Sequence, residues 1–313
     1  MKRLISCTRS DFERITSVEL KESIAASEGR VIMAQNLVGI QSLAIGITNT
    51  ELEAAFGADI ILLNTYSIDE SKHQPGLLKN SMNPGEGEYR LKDLKELVGR
   101  PIGIYFECGT PGKGKERALF GPERFATKEN LLKAIDEQAD FVILGGNPGT
   151  GVRLEQVVEG VRNAKQVLGD RLLIMAGKWE DGSIEPVLGD PLSTRPATDI
   201  IKDLIDAGAD VITLPAPGSR TGITVEMIRQ CVEFTHRYKK GTLALDFLDG
   251  SVEGTDTETI REIGLMMKQT GADIHAIGDG GLSGCTLPEN LYQLSITCKG
   301  RGHTFLRMAG NNR

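Results

Sequence analysis

Several ionisable residues stand where apolar segments of the sequence end, a position at which a side chain is held firmly and a substrate can reach it. Lys178 directly follows the apolar run 172–177, and Glu107 ends the run 101–107. A desolvated lysine has a lowered pKa and can attack a carbonyl group to form a Schiff base, whereas a protonated lysine clamps a phosphate or carboxylate group. The sequence leaves both roles of Lys178 open.

Asp246 lies within another apolar segment, at 242–247. Alternation places Leu243, Leu245 and Phe247 on one face, which suits a layer of helices, so we expect Asp246 to point the other way, into the interior. A buried carboxylate needs a partner, a proton or a metal ion. We therefore treat this aspartate as a candidate for chemistry.

Glu107 and Asp246 could together hold Mg²⁺ with water and substrate oxygens, or act as general acid and base. The alternative that needs no chemistry is a salt bridge from Asp246 to Lys178 or to another cation. We take Lys178, Asp246 and Glu107 as the candidate catalytic residues. No cofactor follows from the sequence alone. The one candidate cofactor is Mg²⁺, bound by Glu107 and Asp246.

A glycine-rich loop, Ile277-Gly-Asp-Gly-Gly-Leu-Ser-Gly284, follows the last apolar segment and leads into a helical pattern. A second loop, Asp249-Gly-Ser-Val-Glu-Gly254, follows the apolar segment before it. Glycine lets backbone N–H groups approach phosphate oxygens closely, and a helix N-terminus favours an anion. The expected phosphate-binding residues are Gly250, Ser251, Gly278, Gly280 and Gly281.

Neutral amide side chains end three other apolar segments, and an arginine lies in the glycine-containing loop 217–222. Amides suit hydroxyl and carbonyl groups, and the arginine suits an anion. The alternative is that these groups satisfy loop backbone or face solvent. The expected substrate-binding residues are Gln35, Asn64, Asn147 and Arg220.

Four stretches of the chain read nearly alike, at 56–64, 138–146, 207–215 and 270–281. Each runs from a helix end through a small residue and an aspartate into an apolar strand, which is typical of a parallel sheet. The predicted strands are 31–36, 59–64, 101–107, 140–145, 171–177, 210–214, 242–247 and 273–278. Eight such strands, with long segments after them and short returns, predict a single (β/α)8 TIM barrel over 1–313 with its active site at the C-terminal face.

The two ends of the chain are expected to lie outside the repeating pattern. Thr16 and Glu19 have capping-box spacing, so 10–28 is predicted as a helix that closes the bottom of the barrel, within a leader 1–29. The tail 299–313 is basic and rich in glycine, and it is expected either to pack back on the barrel or to form an oligomer contact. A homo-oligomer is therefore one of our expectations.

Composition argues against several classes of protein. The net charge is −7 at pH 7 with no run of five like charges, so we do not expect nucleic-acid binding. No apolar stretch approaches the length of a membrane span, so we expect no membrane partner. The five cysteines are scattered, which favours a reducing cytoplasm over a disulfide framework. We expect a cytoplasmic protein with a small phosphorylated substrate.

The strand–helix pattern, with the loops at 249–254 and 277–284, resembles the ribulose-phosphate-binding type of barrel. That resemblance implies phosphate binding after strands 7 and 8. The segments Val31-Ile-Met-Ala-Gln-Asn36, Gly57-Ala-Asp59 and Gly278-Asp-Gly-Gly281 are also similar to a bacterial barrel family labelled phosphonomutase-like. Phosphoenolpyruvate mutases and isocitrate lyases carry Asp/Glu metal motifs after strands 2 to 4, but strand 4 here is followed by no carboxylate.

Three functions are consistent with these residues. The first is an enzyme that acts on a small phosphorylated metabolite, with a sugar phosphate as the first candidate, by isomerase, epimerase or lyase chemistry. The second is a Mg²⁺-dependent mutase or lyase of the phosphoenolpyruvate type. The third is a non-catalytic sensor that binds a phosphorylated metabolite and reports to a partner.

Overall fold

The computed structural model describes residues 2–111, 121–180, 182, 184–278 and 284–310. Eight parallel strands form a closed barrel in which each strand pairs with the next along the chain and the last pairs with the first. They are β1 Val31–Leu37, β2 Ile60–Asn64, β3 Ile102–Glu107, β4 Phe141–Gly145, β5 Leu173–Gly177, β6 Val211–Pro215, β7 Leu243–Leu248 and β8 Ile274–Ile277. The predicted TIM barrel is confirmed, and every strand lies within two residues of its predicted position.

A helix follows every strand, and two short helices precede the first strand. The α-helices are α1 Arg9–Phe12, α2 Ser17–Ala25, α3 Asn49–Ala55, α4 Leu91–Val98, α5 Lys128–Asp136, α6 Leu154–Leu168, α7 Ala197–Ala207, α8 Val225–Tyr238, α9 Thr257–Thr270 and α10 Pro288–Ala309. The last helix does not end near 298 as expected, but continues to Ala309 with a break at Gly300, where φ is +79°. Much of the predicted tail is therefore helical.

Side chains of the strands alternate between the barrel interior and the layer under the helices. Met33, Leu62 and Phe247 belong to the interior cluster, whereas Ile61 and Ala244 pack in the helix layer. Both faces of each strand are buried, which explains the near-continuous apolar runs in the sequence.

The N-terminal segment closes the end of the barrel at which the strands begin, as predicted, but with the two helices α1 and α2 in place of the single helix expected over 10–28. Phe12 of α1 and Leu20 and Ile24 of α2 are buried and pack in the same cluster as Val31 and Ile60, which are the first interior residues of their strands. The capping box at the start of α2 is also present, since the Glu19 carboxylate accepts a hydrogen bond from the backbone N–H of Thr16. The barrel interior is therefore closed at the end where the strands begin.

All five cysteines are buried free thiols. Burial raises the pKa of the Cys108 thiol well above its ordinary value, and this disfavours the thiolate that nucleophilic catalysis needs. Within the part of the chain that the structure describes, no helix is both long enough and apolar enough to cross a membrane.

The aspartate of each repeated stretch makes the same two hydrogen bonds at the bottom of the barrel. Its backbone N–H donates to the carbonyl of a residue near the start of the preceding strand, and its carboxylate accepts from the N–H of that same residue. With the N–H to carboxylate distances, the pairs are Asp59 with Ile32 (2.8 Å), Asp140 with Ile102 (2.8 Å), Asp210 with Ile174 (3.1 Å) and Asp273 with Ala244 (2.9 Å). We call these four pairs the aspartate clamps.

Each clamp also has a basic partner, which comes from a different element every time. The partners are Lys299 and Arg307 for Asp59, Lys95 for Asp140, Lys21 for Asp210 and His236 for Asp273, all within 2.9 Å. The carboxylate and its backbone hydrogen bonds are therefore the same in all four clamps, whereas the basic side chain comes from a different helix in each.

The clamp at Asp59 carries the most buried charge. Lys299 and Arg307, both from the segment predicted as a tail, lie 2.7 Å from its two carboxylate oxygens, and all three side chains are at most 2% exposed. Burial by itself raises the pKa of Asp59, but the two cations outweigh burial and hold the pKa below its ordinary value. The C-terminal helix is thus locked to the start of β2.

Removing the Asp59 carboxylate should destabilise the protein far more than removing the Asp273 carboxylate. Asp59→Ala leaves two buried cations without their counter-charge, which costs about 3–5 kcal/mol. Asp273→Ala leaves His236, which is 38% exposed and can be solvated. Urea unfolding of both variants, with the exposed Asp136→Ala as control, measures the difference. Equal losses for Asp59→Ala and Asp136→Ala would show that the clamp does not hold the fold.

Candidate active site

Four predicted residues from the first four strands meet where the strands end. The Asn64 side-chain amide donates to Asn147 Oδ1 at 3.1 Å and to Gln35 Oε1 at 3.5 Å. The backbone N–H of Asn147 donates to both carboxylate oxygens of Glu107 at 3.1 Å, and the Asn147 amide also donates to this carboxylate. We call Gln35, Asn64, Asn147 and Glu107 the rim chain, and all four are buried.

Glu107 is 1% exposed, and its protonation equilibrium is displaced. Burial raises its pKa to about 7, although hydrogen bonds from Asn147 and Thr150 and the charge of Lys178 act in the opposite direction. A carboxyl group that titrates near neutral pH can both accept and return a proton under physiological conditions. Of the three predicted catalytic residues, Glu107 lies among the other predicted residues at the strand ends, and its catalytic role stays a prediction.

A tyrosine that sequence reasoning missed lies beside this carboxyl group. Tyr105 is buried inside the barrel, and its hydroxyl has no hydrogen-bond partner among the described residues. A Cβ atom on Gly145 would lie 2.6 Å from this hydroxyl, and Gly145 is the residue paired with Glu107 between β3 and β4. The inward alternation of 103, 105 and 107 along β3 was the signal that could have found it.

The only tryptophan of the chain covers the interior at this end. Trp179 is 1% exposed, stacks on Phe247 with ring centroids 5.2 Å apart, and meets Tyr105 edge to face at 5.9 Å. The site is therefore bounded below by an aromatic layer and lined on one side by the rim chain.

Lys178 was expected where a substrate can reach its ammonium group, but the residue is only 2% exposed. Its ammonium donates to the carbonyl of Val152 at 3.1 Å and lies 3.9 Å from the Glu185 carboxylate, between the segments that follow β4 and β5. The inward position after β5 belongs to Trp179 instead. Lys178 still acts on Glu107 through its charge, but it makes no ion pair with Asp246.

Asp246 points away from the interior, so the predicted orientation is wrong. Its carboxylate lies 2.7 Å from His275 Nδ1 and accepts a hydrogen bond from the Thr270 hydroxyl at 2.9 Å, in the layer under the helices. The reason is that the interior takes the bulky side chains of β7, namely Leu243, Leu245 and Phe247.

This orientation removes the predicted Mg²⁺ site. Glu107 and Asp246 lie on opposite faces of the barrel wall and cannot share an ion. Across 2–111, 121–180, 182, 184–278 and 284–310, no three His, Cys, Asp or Glu side chains are grouped as a metal site would require. The described residues therefore do not fit the expected metal.

Three of the predicted phosphate-binding residues, Gly250, Ser251 and Gly278, follow β7 and β8, across the barrel from β3. Gly250 has φ of +79°, which favours glycine, and Ser251 begins a short 3-10 helix. A Cβ atom on Gly278 would lie 2.9 Å from the Phe247 ring, so only glycine fits there. Gly280 and Gly281 lie outside the described residues. Phosphate binding by these segments stays a prediction.

Arg220 lies on this side of the site and is held in place. Its Nε donates to the carbonyl of Trp179 at 2.8 Å, and its Nη2 donates to Asp249 at 3.1 Å. Asp249 is 2% exposed, and burial raises its pKa while Arg220 opposes that effect. The Arg220 side chain is 28% exposed, so it is accessible from solvent.

Glu107 should make the folded protein less stable as the pH rises from about 4.5 to about 7. In this window the folded state retains the Glu107 proton that the unfolded state has lost, so the free energy of unfolding falls, by at most about 3 kcal/mol. Glu107→Gln cannot titrate and should lose this part of the slope. Urea unfolding of both proteins at pH 5 and pH 8 measures this difference in the free energy of unfolding, with a variant at an exposed site, Glu159→Gln, as control. Parallel profiles for wild type and Glu107→Gln would contradict the raised pKa.

Solved structures with the same fold include two aldolases and a transferase domain. An archaeal fructose 1,6-bisphosphate aldolase has a TM-score of 0.54 and 13% identity, covering 93% of this chain and 99% of its own. A Schiff-base-forming fructose-1,6-bisphosphate aldolase has a TM-score of 0.51 and 15% identity, covering 95% and 98%. The carboxyl transferase domain of Rhizobium etli pyruvate carboxylase with 3-hydroxypyruvate has a TM-score of 0.53 and 13% identity, covering 95% and 51%. At these identities the likeness concerns the fold alone.

No protein with a curated description matches this sequence. One family profile does match, over residues 5–313, which is almost the whole chain and includes every candidate residue described above. The chain therefore belongs to the family described as Domain of unknown function (DUF7916).

Proposed function

We propose that this barrel is an enzyme that moves a proton on a small phosphorylated metabolite, with a sugar phosphate as the first candidate, in isomerase, epimerase or lyase chemistry. The observation that carries the proposal is Glu107, a buried carboxyl group at the end of β3 that accepts hydrogen bonds from Asn147 and whose pKa burial raises to about 7. Buried groups with such perturbed pKa values are concentrated at functional sites.

The neighbours of Glu107 suit the removal of a proton next to a carbonyl group. The Glu107 carboxylate would take the proton, and the Tyr105 hydroxyl, which lacks a partner among the described residues, would donate to the oxygen that becomes negative. Asn64 and Asn147 keep the carboxylate and the adjoining amides in fixed orientation. Isomerisation, epimerisation and retro-aldol cleavage all pass through such an enolate-like species.

The phosphate group of the substrate would bind across the barrel from Glu107. Gly250 and Gly278 allow close approach of the backbone, and Arg220 adds a positive charge that Asp249 holds in position. Two structurally similar barrels are described as acting on fructose 1,6-bisphosphate. Because identity to them is 13–15%, the substrate class rests on the loops of this chain.

Lys178 has an electrostatic role in this proposal. Its ammonium is engaged by the Val152 carbonyl and lies near Glu185, and its positive charge favours the ionised form of Glu107. Borohydride added during turnover should therefore produce no adduct at Lys178. An adduct on Lys178, located by peptide mass spectrometry, would replace proton transfer by Glu107 with Schiff-base chemistry as the central step.

Ligand binding can be followed through Trp179, because no other tryptophan contributes to the fluorescence. Its buried ring touches Phe247 and Tyr105, so a ligand at the rim should change its emission. We expect saturable changes with triose, pentose or hexose phosphates and none with the matching free sugars. Equal responses to sugars with and without phosphate would contradict a phosphate site.

Proton transfer itself can be measured by deuterium exchange in D₂O, with NMR of the substrate carbon next to the carbonyl group. Wild type should exchange this proton in a phosphorylated sugar that it binds, and Glu107→Gln should slow exchange by roughly 10²–10⁴-fold. Tyr105→Phe should also slow exchange, whereas the exposed Glu159→Gln should match wild type. Binding without exchange in wild type would favour the sensor, and exchange unaffected in Glu107→Gln would exclude Glu107 as the base.

A further inference from the structure

Arg124 is a buried cation whose hydrogen-bonding capacity is largely unused. The residue is 7% exposed, yet its Nε and Nη1 have no hydrogen-bond partner in the described part of the chain. The Glu123 carboxylate lies 3.9 Å from Nε, which is too long for a hydrogen bond. Since buried polar groups are nearly always paired, this arginine needs an explanation.

The guanidinium group lies over the loops that follow the first two strands. Nη1 is 3.6 Å from the position that a Cβ atom on Gly39 would take, and the Gly39 N–H donates to Thr65 Oγ1 at 2.8 Å. Thr65 has φ of +58°, which is strained for a β-branched residue, and its N–H donates to Asn64 Oδ1 at 2.7 Å. We call Gly39, Thr65 and Arg124 the Arg124 corner. It adjoins the rim chain through Asn64.

The turn that carries Arg124 is itself firmly anchored. The Asn130 amide of α5 donates to the carbonyls of Pro122 and Phe125, which flank Arg124, and the N–H of Ala126 donates to the Glu107 carbonyl. The fold thus holds an arginine beside the end of β3 at the cost of burying donors without acceptors. Such an arrangement is unfavourable unless an acceptor arrives with a ligand.

We infer that the Arg124 corner binds an oxyanion, a carboxylate or a phosphate group, at the edge of the site opposite Arg220 and the glycine loops. A planar guanidinium group suits either anion because it can donate two parallel hydrogen bonds. The corner follows β1 to β3 and the expected phosphate site follows β6 to β8, so the two cations flank the site from opposite sides.

The substrate class can be defined more closely from this anion site, and this definition rests on the proposed function. The metabolite carries an acidic group at each end, and the carbon that loses its proton lies between them, beside Glu107. Sugar bisphosphates and phosphorylated carboxylic acids have this form. Metabolites with one phosphate and no second acidic group lack a partner for Arg124.

The first test uses stability and needs no substrate. Arg124→Met removes a buried guanidinium group whose Nε and Nη1 lack hydrogen-bond acceptors while retaining similar volume, so without anions it should unfold at the same or a higher temperature than wild type. Inorganic phosphate, titrated at constant ionic strength, should stabilise wild type more than Arg124→Met, and the exposed Arg261→Met should behave as wild type. An Arg124→Met protein that is less stable without anions, or that keeps the full phosphate response, overturns the inference.

The second test compares three probes through Trp179 fluorescence: fructose 6-phosphate, fructose 1,6-bisphosphate and 3-phosphoglycerate. Fructose 1,6-bisphosphate and 3-phosphoglycerate each carry two acidic groups and are called the two-ended probes. At least one of them should bind wild type more tightly than fructose 6-phosphate does. The one that binds more tightly shows whether the second acidic group is a phosphate or a carboxylate. Arg124→Met should weaken that probe by roughly ten- to a hundredfold and leave fructose 6-phosphate unchanged. Arg124→Lys keeps the positive charge but loses the paired N–H donors of the guanidinium group, so its affinity for that probe should lie between those of wild type and Arg124→Met. It serves as the test if Arg124→Met does not fold.

The outcomes separate this inference from the proposed function. Gly280→Val in the glycine loop should weaken all three probes, because each carries the shared phosphate. If it does so while Arg124→Met changes none of them, the proposed phosphate site stands and the inference is wrong. If Arg124→Met weakens the two-ended probe and Gly280→Val has no effect, Arg124 binds an anion and the proposed phosphate site is wrong. The inference is also overturned if neither two-ended probe binds wild type more tightly than fructose 6-phosphate.

Discussion

The aspartate clamps are the interaction on which the rest of the structure depends. A strand slipped by one residue would turn its interior side chains toward the helices, so the register of every strand pair must be fixed. Each clamp joins two strands by a pair of backbone and carboxylate hydrogen bonds at the end where the strands begin. The four clamps divide the barrel into β1–β2, β3–β4, β5–β6 and β7–β8.

The chemistry at the opposite end follows from this constraint. Asp140 holds Ile102 at the start of β3, and the same strand ends at Glu107, with Tyr105 on the same inward face. The register that places Glu107 beside Gly145 is therefore fixed at the bottom, and it brings Glu107 within reach of the Asn147 backbone. A carboxylate so buried is tolerated because it can take up a proton near neutral pH.

The sequence was sufficient for the fold because each strand is a short apolar run followed by a loop, and an aspartate directly precedes every second strand, from β2 to β8. It was also sufficient for the rim chain, since residues that end neighbouring parallel strands must meet at one edge. Alternation alone did not distinguish the inside of the barrel from the outside, so Asp246 was placed on the wrong face. Lys178 was misplaced for a related reason, because Trp179 takes the inward position beside it. Tyr105 could have been found from the inward alternation of β3, whereas Arg124 gave no local signal. That their buried polar atoms lack hydrogen-bond partners is visible only in the folded structure.

Glu107 is proposed to exchange a proton near neutral pH. An NMR titration of its side-chain carboxyl carbon measures the pKa of this group most directly. Protein labelled with ¹³C at glutamate side chains, compared with Glu107→Gln for assignment, gives the pKa of this group alone. We predict a midpoint of about 7. A midpoint near the ordinary value of 4.5 would contradict it, because the carboxyl group would then be permanently ionised and a poor proton donor at neutral pH.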